Sequence, residues 1–305
     1  MNNSARVVVF AYHEVGFRCL AWLLARGVAV SAVFTHEDDP REKVWFRPVG
    51  HLARAAGVPV LTPSSLKDPA IVAQIRDWRP DVIYSFYYRN MIPREILAIP
   101  SAGAFNMHGS LLPRYRGRVP VNWAIIHGER ETGATLHHMV GRADAGDIID
   151  QEACTIGPDE TAQDVFLKVT DAAVKVLARS HDAIVEGRAP RRPQNENEAT
   201  TFGKRGPEDG RIEWDRDGAS IFNFVRALTK PYPGAFSEVR GQRFVIWWGR
   251  PVDLATGVRL APGRIVSVEP LIVATRDGGF RVERLEWASA VAPESRNFVT
   301  GESVG

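Results

Sequence analysis

An asparagine and a histidine two positions apart, Asn106 and His108, are the residues of this sequence best suited to chemistry. They end a short apolar run that breaks at Gly109, which predicts a strand running out into a loop. Because strand side chains alternate between faces, both residues point the same way, with Met107 opposite. A neutral imidazole can carry a proton near neutral pH, and an amide can donate to a developing oxyanion. Together they suit the transfer of an acyl-type group to an amine.

The loop after this strand is basic and turns sharply. Pro113 and Gly117 bracket a segment that carries three arginines, Arg114, Arg116 and Arg118. Pro120 then suits the first turn of a helix. Guanidinium groups are well shaped for phosphate oxygens, although a solvated basic loop is the alternative.

The elements that must position these residues alternate between strands and helices. Apolar runs at 7–11, 28–34 and 81–86 are typical of buried strands, and helical patterns lie between them at 15–25, 51–56 and 71–78. This alternation predicts an α/β fold with a doubly wound sheet, whose carboxyl edge would hold the ligand site. The first strand runs into Tyr12-His13-Glu14-Val15-Gly16 rather than a G-x-G-x-x-G loop. We therefore expect no NAD.

Two further strands are predicted at 132–140 and 148–156, joined by a loop with glycines at positions 141 and 146. Such a loop can turn tightly and aim a carboxylate inward, from Asp144 or, as a weaker candidate, Asp147. His137 and His138 precede it and raise the question of a metal. Adjacent residues of a strand face opposite ways, so the two imidazoles cannot easily bind one ion. We expect no metal site.

The C-terminal part is predicted to be rich in β-structure. A long helix at 161–184 is followed by a polar, proline-broken stretch at 188–198, which favours a linker. A short helix at 219–228 leads into two hairpins, around Arg240-Gly241 and around Asp277-Gly278-Gly279. We predict two domains, 1–200 and 201–305, and expect the tail from position 293 onward to be loose.

The composition is that of an ordinary globular protein, with 45% hydrophobic and 24% charged residues. A net charge of +2 is too small to argue for nucleic acid. Cys19 and Cys154 are far apart and suggest no disulfide framework. The N-terminus carries no signal pattern, and no stretch approaches the ~20 apolar residues of a membrane span. We expect a cytoplasmic protein without membrane insertion, and leave self-association open.

The run Asn106-Met107-His108-Gly109-Ser110-Leu111-Leu112-Pro113, with Tyr115-Arg116-Gly117 after it, resembles the signature of the 10-formyltetrahydrofolate-dependent formyltransferases. Other segments are similar to the subfamily that formylates UDP-4-amino-4-deoxy-L-arabinose for lipid A modification and polymyxin resistance: Tyr12-His13-Glu14, Tyr87-Tyr88-Arg89 and Asn197-Glu198-Ala199-Thr200. The resemblance covers most of the chain and fades near Val268. It implies a Rossmann-like catalytic domain followed by a small OB-like β domain.

The resemblance also implies a role for individual residues. Asn106 would stabilise the oxyanion, His108 would shuttle the proton, and Asp144 would orient and tune His108, because a nearby anion favours an imidazolium. The formyl donor would be 10-formyltetrahydrofolate, held by Asn90, Met91, Ile92, Arg118, Val140, Gly141, Arg142, Ala143 and Asp144. Candidates for the diphosphate of a sugar nucleotide are Arg114, Arg116, Lys204 and Arg205.

The acceptor is less well determined than the chemistry. UDP-4-amino-4-deoxy-L-arabinose is favoured, and a dTDP-linked 4-amino sugar would undergo the same reaction in a different base pocket. Methionyl-tRNA would require a broad basic surface, which the balanced charges of the C-terminal half do not predict. A folate-binding module without activity is a further alternative, weakened by the intact Asn106, His108 and Asp144. The chain either acts alone or belongs to a bifunctional enzyme with a fused dehydrogenase domain.

Overall fold

The structure is a computed structural model that describes residues 5–40, 43–254, 260–288 and 296–305. The chain divides into two compact units. The first comprises Met1–Pro120, Glu131–Cys154 and Phe166–Gly203, and the second comprises Val121–Arg130, Thr155–Val165 and Lys204–Gly305. The domains predicted at 1–200 and 201–305 remain a prediction about independent folding units.

The first unit is built on one large sheet. Its strands are β1 (Arg6–Ala11), β2 (Ala29–Phe34), β3 (Val60–Leu61), β4 (Val82–Phe86), β5 (Gly103–His108), β7 (Glu131–His138) and β8 (Ile148–Thr155). Two short strands, β6 (Arg116–Gly117) and β9 (Thr201–Phe202), pair separately. The seven strands of the large sheet follow the order β3-β2-β1-β4-β5-β7-β8.

Six helices are described up to residue 185: α1 (His13–Ala25), α2 (Val49–Ala55), α3 (Pro69–Trp78), α4 (Arg94–Leu97), α5 (Pro120–Ile126) and α6 (Ala162–Val185). Local chemistry explains where several of them begin. The Asp68 carboxylate caps α3 by accepting from the backbone N–H of Ala70, and Pro69 occupies the first turn. None of the described helices is long and apolar enough to cross a membrane.

The pairing of the large sheet creates an edge of the kind at which open α/β sheets bind ligands. β1 pairs in parallel with β2 and β4, and β4 pairs in parallel with β5. Residues 7–11 of β1 are fully buried, as their continuous apolar run predicts. The strand order reverses direction between β1 and β4, and ligands of open α/β sheets bind at the carboxyl ends beside such a point. β7 departs from the parallel pattern and runs antiparallel to β5.

The second unit contains an antiparallel sheet. α7 (Gly218–Leu228) is followed by β10 (Ala235–Val239), β11 (Gln242–Val252), β12 (Ile265–Val268), β13 (Leu271–Ala274) and β14 (Gly279–Trp287), in the order β10-β11-β14-β13-β12. Its core joins Ile221 and Val225 of α7 to Phe244, Ile246 and Phe280 of the sheet. A sheet that is mostly parallel, followed by a separate antiparallel β-rich unit, confirms the predicted fold class.

The end of the chain differs from expectation. The tail was expected to be loose, yet Gly305 and Glu238 of β10 exchange backbone hydrogen bonds of 2.9 and 3.1 Å, and Val304 is buried. An edge strand presents unpaired backbone groups, and the returning chain satisfies some of those of β10. Residues 293–295 of the predicted tail lie outside the described residues.

Candidate active site

Strand β5 presents the predicted amide and imidazole at the carboxyl edge of the sheet. Its neighbours are β4, where Ser85 is paired with Asn106, and β7, where His137 is paired with Asn106. The side chain of His108 is buried, and that of Asn106 is half-buried. Strands on either side therefore hold Asn106, and β7 holds His108, which is paired with Thr135.

Asp144 reaches these two residues from the loop between β7 and β8. Its Oδ1 lies 3.3 Å from Asn106 Nδ2 and 3.6 Å from His108 Nδ1. Its Oδ2 accepts a 2.9 Å hydrogen bond from the backbone N–H of Gly117. Asp144 has a φ of 51°, a left-handed conformation that non-glycine residues seldom adopt. The structure thus brings Asn106, His108 and Asp144 together around one carboxylate.

The electrostatics of Asp144 favour its charged form. Burial alone would raise its pKa, but the charge of His108 and the N–H of Gly117 oppose burial, and the pKa lies well below its ordinary value. Asp144 is therefore a fixed anion at neutral pH, placed beside the ring that would carry a proton.

The two nitrogens of His108 have different surroundings. Nε2 lies 2.8 Å from the carbonyl oxygen of Tyr115, which can only accept, so Nε2 carries a hydrogen and donates it. Nδ1 faces Asp144 at 3.6 Å, longer than a hydrogen bond. Nδ1 is consequently the ring nitrogen that can take up or release a proton.

His137 is a member of the site that the sequence reasoning missed, because it considered this residue only as a metal ligand. Its Nδ1 lies 2.9 Å from the carbonyl of His138 and so carries the hydrogen, leaving Nε2 to accept from Asn106 Nδ2 at 3.1 Å. The same Nε2 lies 3.5 Å from Asp144 Oδ1. The contact depends on the antiparallel pairing of β5 with β7, which no local pattern of the sequence reveals.

His138 points away from this cluster, as strand alternation requires. Its ring packs 5.0 Å from that of Phe105, and its Nε2 lies 3.2 Å from the carbonyl of Pro190. Burial is the main cause that lowers its pKa. Within the described ranges, no group of histidine, cysteine, aspartate and glutamate side chains is arranged to hold a metal ion.

The residues predicted to hold a folate lie in two segments that meet. Met91 is 62% exposed beside exposed Asn90, whereas Ile92 is buried. Val140 is 44% exposed, and Gly141, Arg142 and Ala143 are exposed as well. A Cβ at Gly141 would collide with the guanidinium of Arg94, so the segments at 90–94 and 140–144 are in contact. Arg118 Nη2 donates to the Arg89 carbonyl at 2.7 Å.

The four cations predicted for a diphosphate have different surroundings. Arg114 is exposed, with its guanidinium over the Tyr115 ring. Arg116 is only 1% exposed and bonds to Gln194 and Glu196, so its donors serve the protein itself. In the second unit, Lys204 is exposed and the guanidinium of Arg205 lies 4.7 Å from the Trp123 ring. These substrate assignments stay predictions.

Comparisons with known proteins bear on both units. Residues 17–180 match the family model described as formyl transferase, and residues 204–303 match the one described as formyl transferase, C-terminal domain. The solved structure of HypX from Aquifex aeolicus in complex with tetrahydrofolic acid is similar over 93% of this chain, with 20% identity and a TM-score of 0.64. The chain spans 44% of the length of that protein.

Two more solved structures cover both chains almost completely. The N-formyltransferase from Helicobacter canadensis, solved with folinic acid and dTDP-3-aminofucose, is 19% identical over 92% of this chain and 99% of its own, with a TM-score of 0.70. Methionyl-tRNA formyltransferase from Clostridium thermocellum is 18% identical over 93% of this chain and 99% of its own, with a TM-score of 0.57. At these identities the likeness shows a shared fold and does not select an acceptor.

Proposed function

Because the chain belongs to the formyl transferase family, we propose that it transfers a formyl group from 10-formyltetrahydrofolate to the amine of a 4-amino sugar nucleotide. The observation that carries the proposal is the convergence of Asn106, His108 and Asp144, with Asp144 Oδ1 3.3 and 3.6 Å from the other two side chains. That cluster lies at the carboxyl end of β5, the edge at which α/β sheets bind their ligands.

The residues at 90–94 and 140–144 suit a flat folate ring. Exposed Met91 and Val140 provide apolar surface, and Arg94 lies against Gly141 where the two segments meet. Arg118 would line the same surface. Bound there, 10-formyltetrahydrofolate supplies an activated formyl group, and the protein is left to orient the acceptor and to manage one proton and one developing negative charge.

The proton is assigned to His108. Nε2 is held by the Tyr115 carbonyl, so Nδ1 takes the proton that the acceptor amine loses and later returns it to the leaving nitrogen. The imidazolium formed in between lies beside the ionised Asp144, which stabilises it. Asp144 does not need to be protonated at any stage.

Stabilisation of the negative charge that develops on the formyl oxygen is assigned to Asn106. In the structure its amide hydrogens face His137 Nε2 at 3.1 Å and Asp144 Oδ1 at 3.3 Å. An oxyanion is a stronger acceptor than a neutral imidazole nitrogen, so the Asn106 amide hydrogen that now faces His137 is the one that turns to the formyl oxygen. Removing one such donor typically lowers kcat by roughly 10²–10³-fold, which we expect for Asn106→Ala.

UDP-4-amino-4-deoxy-L-arabinose is the favoured acceptor, in lipid A modification, and the expected site of reaction is the cytoplasm. The support is the similarity of three segments to that subfamily, Tyr12-His13-Glu14, Tyr87-Tyr88-Arg89 and Asn197-Glu198-Ala199-Thr200. A dTDP-linked amino sugar is the second candidate, since the Helicobacter canadensis neighbour was solved with dTDP-3-aminofucose. A net charge of +2 disfavours tRNA.

A formyl-transfer assay over a panel of acceptors tests this proposal. The purified protein and 10-formyltetrahydrofolate would be combined with UDP-4-amino-4-deoxy-L-arabinose, dTDP-linked 3- and 4-amino sugars, or methionyl-tRNA, with His108→Ala as the inactive control. We expect saturable formylation of the UDP sugar with mild salt dependence and none of the tRNA. If only a dTDP-linked sugar were formylated, that sugar would take the place of the UDP sugar as the proposed acceptor. If methionyl-tRNA were formylated with a steep salt dependence, the proposal of a sugar-nucleotide substrate would be wrong.

A further inference from the structure

The segment at 194–202, called here the return segment, follows α6 in the chain and lies beside the loop after β5. Its strand β9 pairs in parallel with β6, with Thr201 beside Arg116 and Phe202 beside Gly117. The backbone N–H of Arg118 donates to the carbonyl of Phe202 at 3.0 Å. Within the stretch predicted as a linker, 188–198, Gln194 and Glu196 also bond to this loop, through the side chain of Arg116.

Both polar atoms of the Gln194 amide form hydrogen bonds, one to the loop that carries Asp144 and the other to the loop that carries Arg116. Its Nε2 donates to the carbonyls of Asp144 at 2.8 Å and Gly146 at 2.7 Å. Its Oε1 accepts from Arg116 Nε at 3.1 Å and Nη2 at 2.7 Å. One side chain thus ties the loop that carries Asp144 to the loop whose Gly117 N–H holds the Asp144 carboxylate.

The Asp144 loop requires such a restraint. A left-handed φ of 51° at Asp144 costs energy for a residue with a side chain, and it persists only where its surroundings fix it. The next glycine is equally constrained, because a Cβ at Gly146 would collide with the carbonyl of His138. Gln194 is bonded to the carbonyls of both residues and so fixes the direction of the turn.

Thr200 acts on the other side of the site. Its Oγ1 accepts from the backbone N–H of Tyr115 at 2.8 Å, and its carbonyl accepts from that of Arg116 at 2.9 Å. Tyr115 has a left-handed φ of 59°, and its carbonyl receives the Nε2–H of His108. The direction of that carbonyl, and with it the angle of the His108 ring, depends on how Thr200 holds Tyr115.

From these contacts we infer that Gln194 and Thr200 are positioning residues for the proposed formyl transfer, Gln194 through Asp144 and Thr200 through Tyr115. Neither acts by touching the reacting atoms. The expected effect on kcat rests on the proposed function, whereas the positions of Asp144 and His108 can be tested in the free protein. Loss of either side chain would let Asp144 and His108 move apart, although every catalytic group would still be present.

The kinetic test compares Gln194→Leu and Thr200→Val with wild type. Leu removes the amide while keeping similar bulk, and Val removes only the hydroxyl of Thr200. Because misplacement of a catalytic group by about 1 Å can cost 10²-fold, we expect kcat to fall by about 10–100-fold in Gln194→Leu while both KM values change little. The acidic limb of its kcat profile should move to lower pH, as the ring loses its anionic neighbour. The matched control is Asn195→Ala, the adjacent amide, whose side-chain hydrogen bonds to described residues all lie within the return segment.

A second measurement needs no substrate. The ¹⁵N chemical shifts of the His108 ring nitrogens at neutral pH report the hydrogen bonding and protonation of each nitrogen. We expect them to differ from wild type in Gln194→Leu and Thr200→Val and to match it in Asn195→Ala. Unchanged shifts, or a loss of kcat with an unmoved acidic limb, would overturn the inference. Changed shifts in a protein that formylates no acceptor would instead uphold the positioning role and refute the proposed function.

Discussion

The two edges of the large sheet differ in backbone strain and in how deeply their charged side chains are buried. At the carboxyl edge, left-handed φ values are found at five of the described non-glycine residues: His13, Tyr87, Tyr115, Val119 and Asp144. Three of the side chains there, His108, His137 and Asp144, are largely buried around one anion. At the amino edge, cations line an open groove, and Arg79, at the end of α3, is the left-handed residue.

The ion pair of the amino-edge groove is more exposed than the charged cluster at the carboxyl edge. It is lined by Arg6, Arg76, Arg79, Asp81 and Glu95 among others, and the Arg6–Asp81 pair is 3.7 Å apart and partly exposed. Exposed pairs of this kind contribute about 0–1 kcal/mol. Clustered charge alone is therefore a poor indicator of a site in this protein. Burial, the convergence of Asn106, His108 and His137 on the Asp144 carboxylate, and a strained backbone distinguish the edge that holds the proposed chemistry.

The largest effect is expected from the residue that would carry the proton. His108→Ala should lower kcat by roughly 10²–10⁴-fold, because general acid–base catalysis contributes about that much. The thermal unfolding midpoint should stay close to that of wild type, because the substitution removes little core volume. Steady-state kinetics at saturating substrates measure the effect, with His127→Ala, an exposed histidine of the second unit, as the control. Near-normal kcat at neutral pH would remove His108 from the mechanism.

Asp144→Asn should have a smaller effect on rate and a distinctive effect on pH dependence. Asn tolerates the left-handed φ, so the substitution removes the charge and leaves the turn. We expect kcat to fall on the order of 10²-fold and its acidic limb to move to lower pH. A profile that keeps its wild-type acidic limb would show that Asp144 does not act on His108.

The same substitution tests stability. The folded-state pKa of Asp144 lies below its unfolded value of about 3.9, so the ionised group stabilises the fold at neutral pH. That contribution is lost as the pH falls below about 4 toward the folded-state value. Asp144→Asn should therefore be less stable than wild type at neutral pH, and the difference should shrink in acid. Denaturant unfolding at several pH values measures both trends.

His13 links the strained edge to acid sensitivity. It has a φ of 64°, its ring packs against those of Trp45, Phe46 and Phe166, and its buried Nδ1 has no hydrogen-bond partner among the described residues. Burial, and then the charge of Arg89, lower its pKa to about 3. Between about 6.5 and 3 the unfolded chain binds a proton there and the folded chain does not, so stability falls as the pH falls.

Replacing His13 with Asn should weaken that dependence. Asn suits a left-handed φ and does not titrate, so the slope of unfolding free energy against pH should decrease by up to about 1.4 kcal/mol per pH unit below 6.5. Urea unfolding of His13→Asn and wild type over that range gives the two slopes. His127→Asn, exposed in the second unit, is the control and should leave the slope unchanged. Parallel curves for His13→Asn and wild type would show that His13 is not a buried neutral group.

Much of the fold follows from local patterns, and part of the site does not. The apolar run of β1, the helical face of α6 and the hairpin glycines predict their elements because each pattern reflects its own burial. That Asn106 and His108 share a face follows from strand alternation. The contact of His137 with Asn106 depends on β7 pairing antiparallel with β5, and Gln194 reaches Asp144 only through folding of a stretch that looks like a linker. Such long-range pairings leave no periodic signal in the sequence.

The smallest effect is expected at the amino edge, where the same backbone strain has no proposed function. Arg79 ends α3 with a φ of 46°, a position at which glycine is the usual residue because it has no Cβ to clash. Arg79→Gly should raise the free energy of unfolding by about 0.5–1 kcal/mol and leave kcat unchanged. The contrasting variant is Asp144→Gly, which relieves the same strain at the carboxyl edge but removes the anion beside His108 and should lose most activity. Urea unfolding and kinetics on both variants measure the contrast, and it would fail if Arg79→Gly lost activity or if Asp144→Gly retained it.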